Sequence, residues 1–147
     1  MRPKPPTFVA ASSPSPGIGI ARKRQSTMKT DRGDVVLVLF PNSDLRSAKR
    51  RPALVVQRSD LGTGISQKIV AMISSNLERR GHPSRIFVSV ASMQAKSAGL
   101  KLDSVIMTDN LATVFETEIA GVIGKFPDMG SINVALAHTL GLPPTTR

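Results

Sequence analysis

From Asp34 to Phe40 the chain reads DVVLVLF, a nearly continuous apolar run rich in β-branched residues. A run of this kind bounded by polar, turn-forming residues reads as a strand buried on both faces. Whatever else the chain does, it must build a sheet and cover both of its sides. The same pattern returns as PALVVQ (52–57), KIVAMISS (68–75), IFVSV (86–90), SVIMTDNLATV (104–114) and AGVIGKF (120–126). Between these runs lie SDLGTGIS, whose Gly62 and Gly64 are free to take positive φ, and the long charged loop NLERRGHPSR. ASMQAKSAGLKLD follows, with Gly99 marking a turn, and the fifth strand is expected to bend near Asp109 and Asn110.

Only the end of the chain changes period. In PDMGSINVALAHTLGL the residues Ile132, Leu136 and Leu140 stand four apart, flanked by Met129 and Ala135, which places them on one helical face. Asp128 or Ser131 supplies the cap, and Gly141 followed by Pro143 the stop. Short strands closed by one amphipathic helix predict an α+β chain that is mainly β, a small SH3-like barrel with a C-terminal helix packed on it. The expected domain runs from 31 to 142, with residues 143–147 a flexible C-terminus.

Residues 1–30 are rich in Pro, Ser and Gly without a sustained period, the composition of a disordered basic tail. TFVAASS is too short and too interrupted by prolines for the apolar core of a secretory signal, and no stretch approaches the roughly 20 apolar residues of a membrane span. The tail reads either as a transit peptide or as sequence upstream of a start at Met28; the second is favoured. Of the net charge of +10, six units come from residues 1–29, leaving four for the remainder. Five Phe and no Trp or Tyr argue against recognition of single strands mainly by ring stacking. The absence of cysteine removes disulfides, thiol nucleophiles and cysteine-rich zinc sites, and is compatible with the cytoplasm. His82 and His138 lie far apart in sequence and form no metal motif; His138 reads as a surface residue, and His82 as a residue of the basic loop, plain or in contact with phosphate. Gly62-Thr63-Gly64 lacks the Lys-Ser/Thr of a phosphate-binding P-loop. No cofactor is expected.

The densest charge of the folded region is in KRRPALVVQ, where Lys49, Arg50 and Arg51 immediately precede a buried strand. One reading is a solvated loop. The other is an anion site in which the rigid strand aims guanidinium groups at phosphate.

RGDVVLVLFPNSD, KRRPALVVQ, IVAMISSN and GLKLDSVIMTDNLATV, in that order and followed by a C-terminal helix, resemble the MazF/PemK toxins of bacterial toxin–antitoxin pairs. The resemblance covers about Arg32 to Leu142. It implies an SH3-like barrel, a homodimer, and metal-independent cleavage of single-stranded mRNA at short sequences. It also implies a cognate acidic antitoxin and operator DNA bound by the toxin–antitoxin complex. By the same resemblance Arg51 is the catalytic arginine, and Ser74 occupies the Ser/Thr position at the end of the third strand. Each alone has a plain structural reading: a strand-end Ser usually bonds its own backbone, and Arg51 is as easily solvated or paired with Asp44.

Two features depart from the family pattern. An arginine found in some of these toxins, two residues before an acid, is Met107 here, while Asp109 retains the acid. A histidine in the first long loop is missing. Arginine stays protonated and is a poor base, so either Asp109 accepts the 2′-hydroxyl proton or water carries it. Backbone binding is expected from Arg46, Lys49 and Arg50 in the first long loop and from Arg79, Arg80 and Arg85 in the second, with Ser75 and Asn76 between them. The competing reading is a catalytically silent barrel that binds nucleic acid or a protein partner, in an autorepressing complex. A weaker one is an organelle-targeted RNA-binding protein.

Overall fold

The computed structural model describes residues 29–143 apart from 42, 43 and 45, so the tail, Met28 and most of the last residues lie outside the described residues. Six strands form one antiparallel sheet in the order β4-β5-β3-β2-β1-β6. They are β1 (Asp34–Pro41), β2 (Ala48–Val55), β3 (Gln67–Ser74), β4 (Arg85–Val88), β5 (Ser104–Phe115) and β6 (Ile119–Lys125). Helix α1 (Met93–Ala98) precedes β5, and α2 (Met129–Leu140) ends the chain. The chain is therefore α+β and mainly β, as the pattern of apolar runs predicts.

Both faces of the sheet are buried, as DVVLVLF requires. Val35, Leu54, Ala71, Ile73 and Ile106 pack beneath the helices against Ala95, Ala98, Phe126 and Ile132. Val36, Val38, Ala53, Val55, Val70 and Met72 alternate with them and form a second core with Val114 and Ile119. Those eight residues are nearly inaccessible without a described helix over them. The sheet must curl around its own face, which is how a small barrel buries a surface no other layer covers.

β5 makes the curl possible. Its partner on β3 jumps from Leu111 opposite Ala71 to Met107 opposite Met72, which leaves Thr108, Asp109 and Asn110 outside the ladder. A bulge of this kind bends a strand and redirects its side chains. The bend expected near Asp109 and Asn110 is this bulge. Thr108 pins it: its hydroxyl donates to the Ser84 carbonyl at 2.6 Å and accepts from the Thr139 hydroxyl at 2.8 Å, tying α2 to the sheet.

Three expectations are corrected. The segment 91–103 is not merely a turn at Gly99, because α1 lies within it. Ser92 caps that helix by accepting from the Ala95 N–H, and Gly99 closes it at φ 75°. Its buried residues are only Ala95 and Ala98, too small to give an apolar stripe. Small residues are required here. A Cβ on Gly99 would lie 2.2 Å from the Ile123 carbonyl oxygen, and one on Gly124 2.3 Å from the Ala98 carbonyl carbon, so α1 rests backbone to backbone on β6.

The buried face of α2 is Ile132, Ala135, Leu136 and Thr139, while Leu140 is 55% exposed. At about 100° per residue a four-residue step overshoots a full turn, and two such steps carry Leu140 off the face that Ile132 defines. Asp128 is the cap, accepting from the Ser131 N–H at 3.1 Å and the Ser131 hydroxyl. Finally, Lys49 and Arg50 do not lie in a loop: β2 starts at Ala48 and pairs them with Phe40 and Leu39.

Candidate active site

Proline cannot donate a ladder hydrogen bond and sits where pairing ends. β2 pairs with β1 from Ala48 to Leu54, but with β3 only from Ala53 to Val55, opposite Met72 to Val70. Pro52 is the next residue. Extending that register would set Arg51 opposite Ser74, but beyond Pro52 the strands part and a hollow opens between them. Its volume is about 450 Å³, and its walls include Lys49, Arg50, Arg51, Ser74, Ser75 and Lys101. No acid lines it. A smaller hollow of about 240 Å³ shares Arg51 and Ser74 and adds Met107 and Asn110.

Among the described residues, the Arg51 side chain has no hydrogen-bond or ion-pair partner, and the same is true of the side chains of Lys49, Arg50 and Lys101. Asp44 is not the counterion of Arg51. Its carboxylate accepts from the backbone N–H groups of Arg46 and Ser47, and the Arg46 bond is the main reason its pKa falls below the ordinary value. Ser74 does close a small turn, its Oγ accepting from the Asn76 N–H at 3.0 Å. That contact uses a lone pair and leaves the hydroxyl proton to donate into the hollow.

The second basic segment is arranged differently. Arg79 approaches Glu78 at 3.9 Å, and Arg80 lies over the Phe87 ring at 5.3 Å. Arg85 grips Asp109 with two parallel bonds, Nε to Oδ1 at 2.8 Å and Nη2 to Oδ2 at 3.0 Å. The hydrogen bond from Arg85 is the largest cause holding the Asp109 carboxyl below its usual pKa, which weakens it as a proton acceptor. Arg85 is also the cross-strand partner of Met107. The guanidinium absent at 107 is thus present one strand away, paired with the acid it would have accompanied.

The structure brings Arg51, Ser74, Ser75, Lys49 and Arg50 to one hollow, and sets Asn76 and Arg79 around another of about 80 Å³ that Ser74 also lines. Arg46, Arg80 and Asp109 line none of the three. Lys101 is absent from the sequence reading although it lies on the rim. Ser92 and Gly99, seven residues apart, frame a two-turn helix whose end delivers it, and that pair was the available signal.

The sequence profile described as "PemK-like, MazF-like toxin of type II toxin-antitoxin system" matches residues 31–139. Endoribonuclease MazF2 of Mycobacterium bovis and endoribonuclease MazF6 of Mycobacterium tuberculosis are each 30% identical over 90 residues, which is 60% of this chain and 75% of the relative. An endoribonuclease from a mycobacterial species superposes with a TM-score of 0.60 at 22% identity, covering 81% of this chain and 98% of the other. A MazE–MazF structure from Deinococcus radiodurans gives 0.60 at 17%, covering 79% and 99%. At these identities the superpositions bear on the fold alone. Since the profile spans nearly the whole described sheet and both helices, the chain belongs to the PemK-like, MazF-like toxin family of type II toxin–antitoxin systems.

Proposed function

We propose that the chain, an endoribonuclease toxin by its family, cuts single-stranded mRNA at the hollow between β2 and β3 without a metal ion. RNA carries its own nucleophile. The 2′-oxygen forms a bond to the adjacent phosphorus, the bond from phosphorus to the 5′-oxygen breaks, and the products are a 2′,3′-cyclic phosphate and a 5′-hydroxyl. One proton leaves the 2′-hydroxyl and one reaches the departing 5′-oxygen.

Charge builds on the phosphorane oxygens, and a preorganised donor facing them supplies the largest single share of catalysis. Arg51 is that donor, able to hold two phosphate oxygens at once. Ser74 donates its remaining proton to a non-bridging oxygen and fixes the phosphate for in-line attack. Asp109, engaged by Arg85 and depressed in pKa, holds that arginine in place, and water carries the two protons. The observation that carries this reading is the partnerless Arg51 lining the same hollows as a hydroxyl whose lone pair is already occupied.

Lys49, Arg50 and Lys101 continue the positive wall, and the RNA backbone follows it. An acidic segment of a cognate antitoxin fits the same acid-free wall and competes with RNA there. A solved mycobacterial relative is an endoribonuclease in complex with its cognate antitoxin, which supports this partner. The reading extends to a homodimer whose antitoxin complex binds operator DNA, and to a cytoplasmic place of work. No helix among the described residues is long and apolar enough to cross a membrane.

The test is cleavage of mixed-sequence single-stranded RNA in EDTA by the wild type and Arg51→Ala, with the new ends analysed chemically. Arg51-dependent cyclic phosphate and 5′-hydroxyl ends are expected. A folded protein that binds RNA and yields no Arg51-dependent product would replace this reading with the silent binding module.

A further inference from the structure

Beside the two hollows that hold Arg51, Ser74 forms part of a third, of about 80 Å³, with Asn76, Glu78, Arg79, Arg85 and Met107. Its chemistry is different. A phosphate site is built from donors, because every phosphate oxygen is an acceptor. This hollow has donors and an acid together, over an apolar side chain.

The available groups can be counted. Arg85 has five N–H donors and spends two on Asp109, so three remain, on a guanidinium whose orientation the pair has fixed. The Arg85 side chain is only 16% exposed, so its freedom is already lost before any ligand arrives. Asn76 Oδ1 accepts from the Glu78 N–H at 3.0 Å, which turns the amide NH₂ outward as a donor. The Glu78 carboxylate approaches only Arg79, at 3.9 Å and largely in solvent, and is free to accept. Met107 supplies the apolar contact.

We propose that this hollow reads the edge of a keto nucleobase, uracil or guanine, on a nucleotide flanking the scissile phosphate. Uracil and guanine each present a carbonyl acceptor beside a ring N–H donor. Arg85 and Asn76 donate to the carbonyl and Glu78 accepts from the N–H. Cytosine and adenine place an amino donor where the keto bases place the carbonyl, so donor would meet donor, and a buried donor left unpaired is costly. Ser74 joins this hollow to the one that holds Arg51, which puts the base next to the cut. The inference rests on the cleavage reading for that position, and its chemistry can be tested separately.

The experiment uses four single-stranded RNA oligonucleotides that differ only in the base flanking the cut, with wild type, Glu78→Gln and Arg85→Lys. The readout is the ratio of cleavage rates between keto and amino bases, not the rate itself. The wild type is expected to favour uracil or guanine by about tenfold or more, within the discrimination of a well-placed base contact. Glu78→Gln, exposed and unable to disturb the core, is expected to lose most of that ratio. Arg85→Lys should do likewise, since lysine cannot hold Asp109 and the base with fixed forks.

An unchanged ratio in Glu78→Gln, a preference for cytosine or adenine, or an equal fall for all four bases would overturn the proposal, the last by revealing a plain phosphate contact. If the wild type cuts none of the four, the cleavage reading fails instead, and the same ratio is taken from binding affinities. A keto preference that Glu78→Gln abolishes would then sustain the base site, and no preference would end it.

Discussion

Two segments of this molecule carry three cations each, and the fold treats them in opposite ways. Lys49, Arg50 and Arg51 stand on a strand that parts from its neighbour at Pro52, with no acid on the wall they share. Arg85 is gripped by Asp109 and Arg80 lies over the Phe87 ring, while Arg79 only approaches Glu78, at 3.9 Å and in solvent. A cation held by a partner has already exchanged its solvation for a fixed geometry and contributes direction more than net field. One without a partner contributes field, and its charge is neutralised only when a polyanion arrives. On the proposed reading, the first segment attracts phosphate and the second discriminates the base beside it.

The comparison predicts its largest effect at Arg51. Arg51→Ala should slow cleavage by between about 10² and 10³-fold, while denaturant unfolding shifts by no more than about 0.5 kcal/mol, the usual limit for an exposed site. Arg58→Ala removes the same charge from an exposed pair with Asp60 and should leave the rate near wild type. If both variants lose activity alike, total charge is what matters and the contrast between paired and unpaired cations collapses.

The next effect concerns how the free wall is held. Lys101 reaches the rim because α1 lies on Gly124, where an added Cβ would meet backbone. Gly124→Ala should therefore cost about 2 kcal/mol in urea unfolding through overpacking. Unaltered stability would show that α1 shifts freely and that Lys101 is not fixed by this contact.

A smaller effect sharpens the comparison in solution. RNA affinity should fall steeply with salt, and Lys49→Ala or Arg50→Ala should each reduce the slope of log affinity against log salt by about 0.7, one phosphate contact on a single strand. Arg80→Ala, whose charge rests on the Phe87 ring, should reduce it by less. Equal reductions in all three would erase the distinction.

The smallest effect is pH-dependent stability at Asp109. Its folded pKa is depressed, first by the Arg85 hydrogen bond. The stabilisation is therefore fully present above the unfolded value of about 3.9 and is lost as pH falls through the lower folded value. In Asp109→Asn the stability should decline less on acidification through that range, measured by thermal unfolding at stepped pH. An unchanged acid limb would mean that the ion pair does not persist in solution.

Much of this architecture is legible in the residues. Each of the six strands overlaps a run of β-branched and aliphatic residues, and in the central β1 and β3, buried on both faces, that run is nearly continuous because there is nowhere to place a polar side chain. The last helix is legible from its cap, its stop and its change of period. α1 is not, because a helix seated on bare backbone uses alanine and glycine, and those residues carry no periodic signal. The start of β2 is hidden for the opposite reason. Lys49 and Arg50 look like loop residues, yet a strand facing a hollow can carry charge.

The sequence by itself determined that this chain must make a sheet covered on both sides, that a C-terminal helix closes it, and that three cations adjoin a buried apolar run. Local composition and period are enough for these. Only the tertiary structure decided which cations are free, that Asp109 belongs to Arg85, that Met107 faces a guanidinium from the next strand, and that His82 and His138 stand with ring centres 6.0 Å apart although they are 56 positions apart in sequence. Partnership between charges depends on separations of a few ångströms between segments distant in sequence. Where β2 leaves β3, and where β5 bulges, is what fixed those separations.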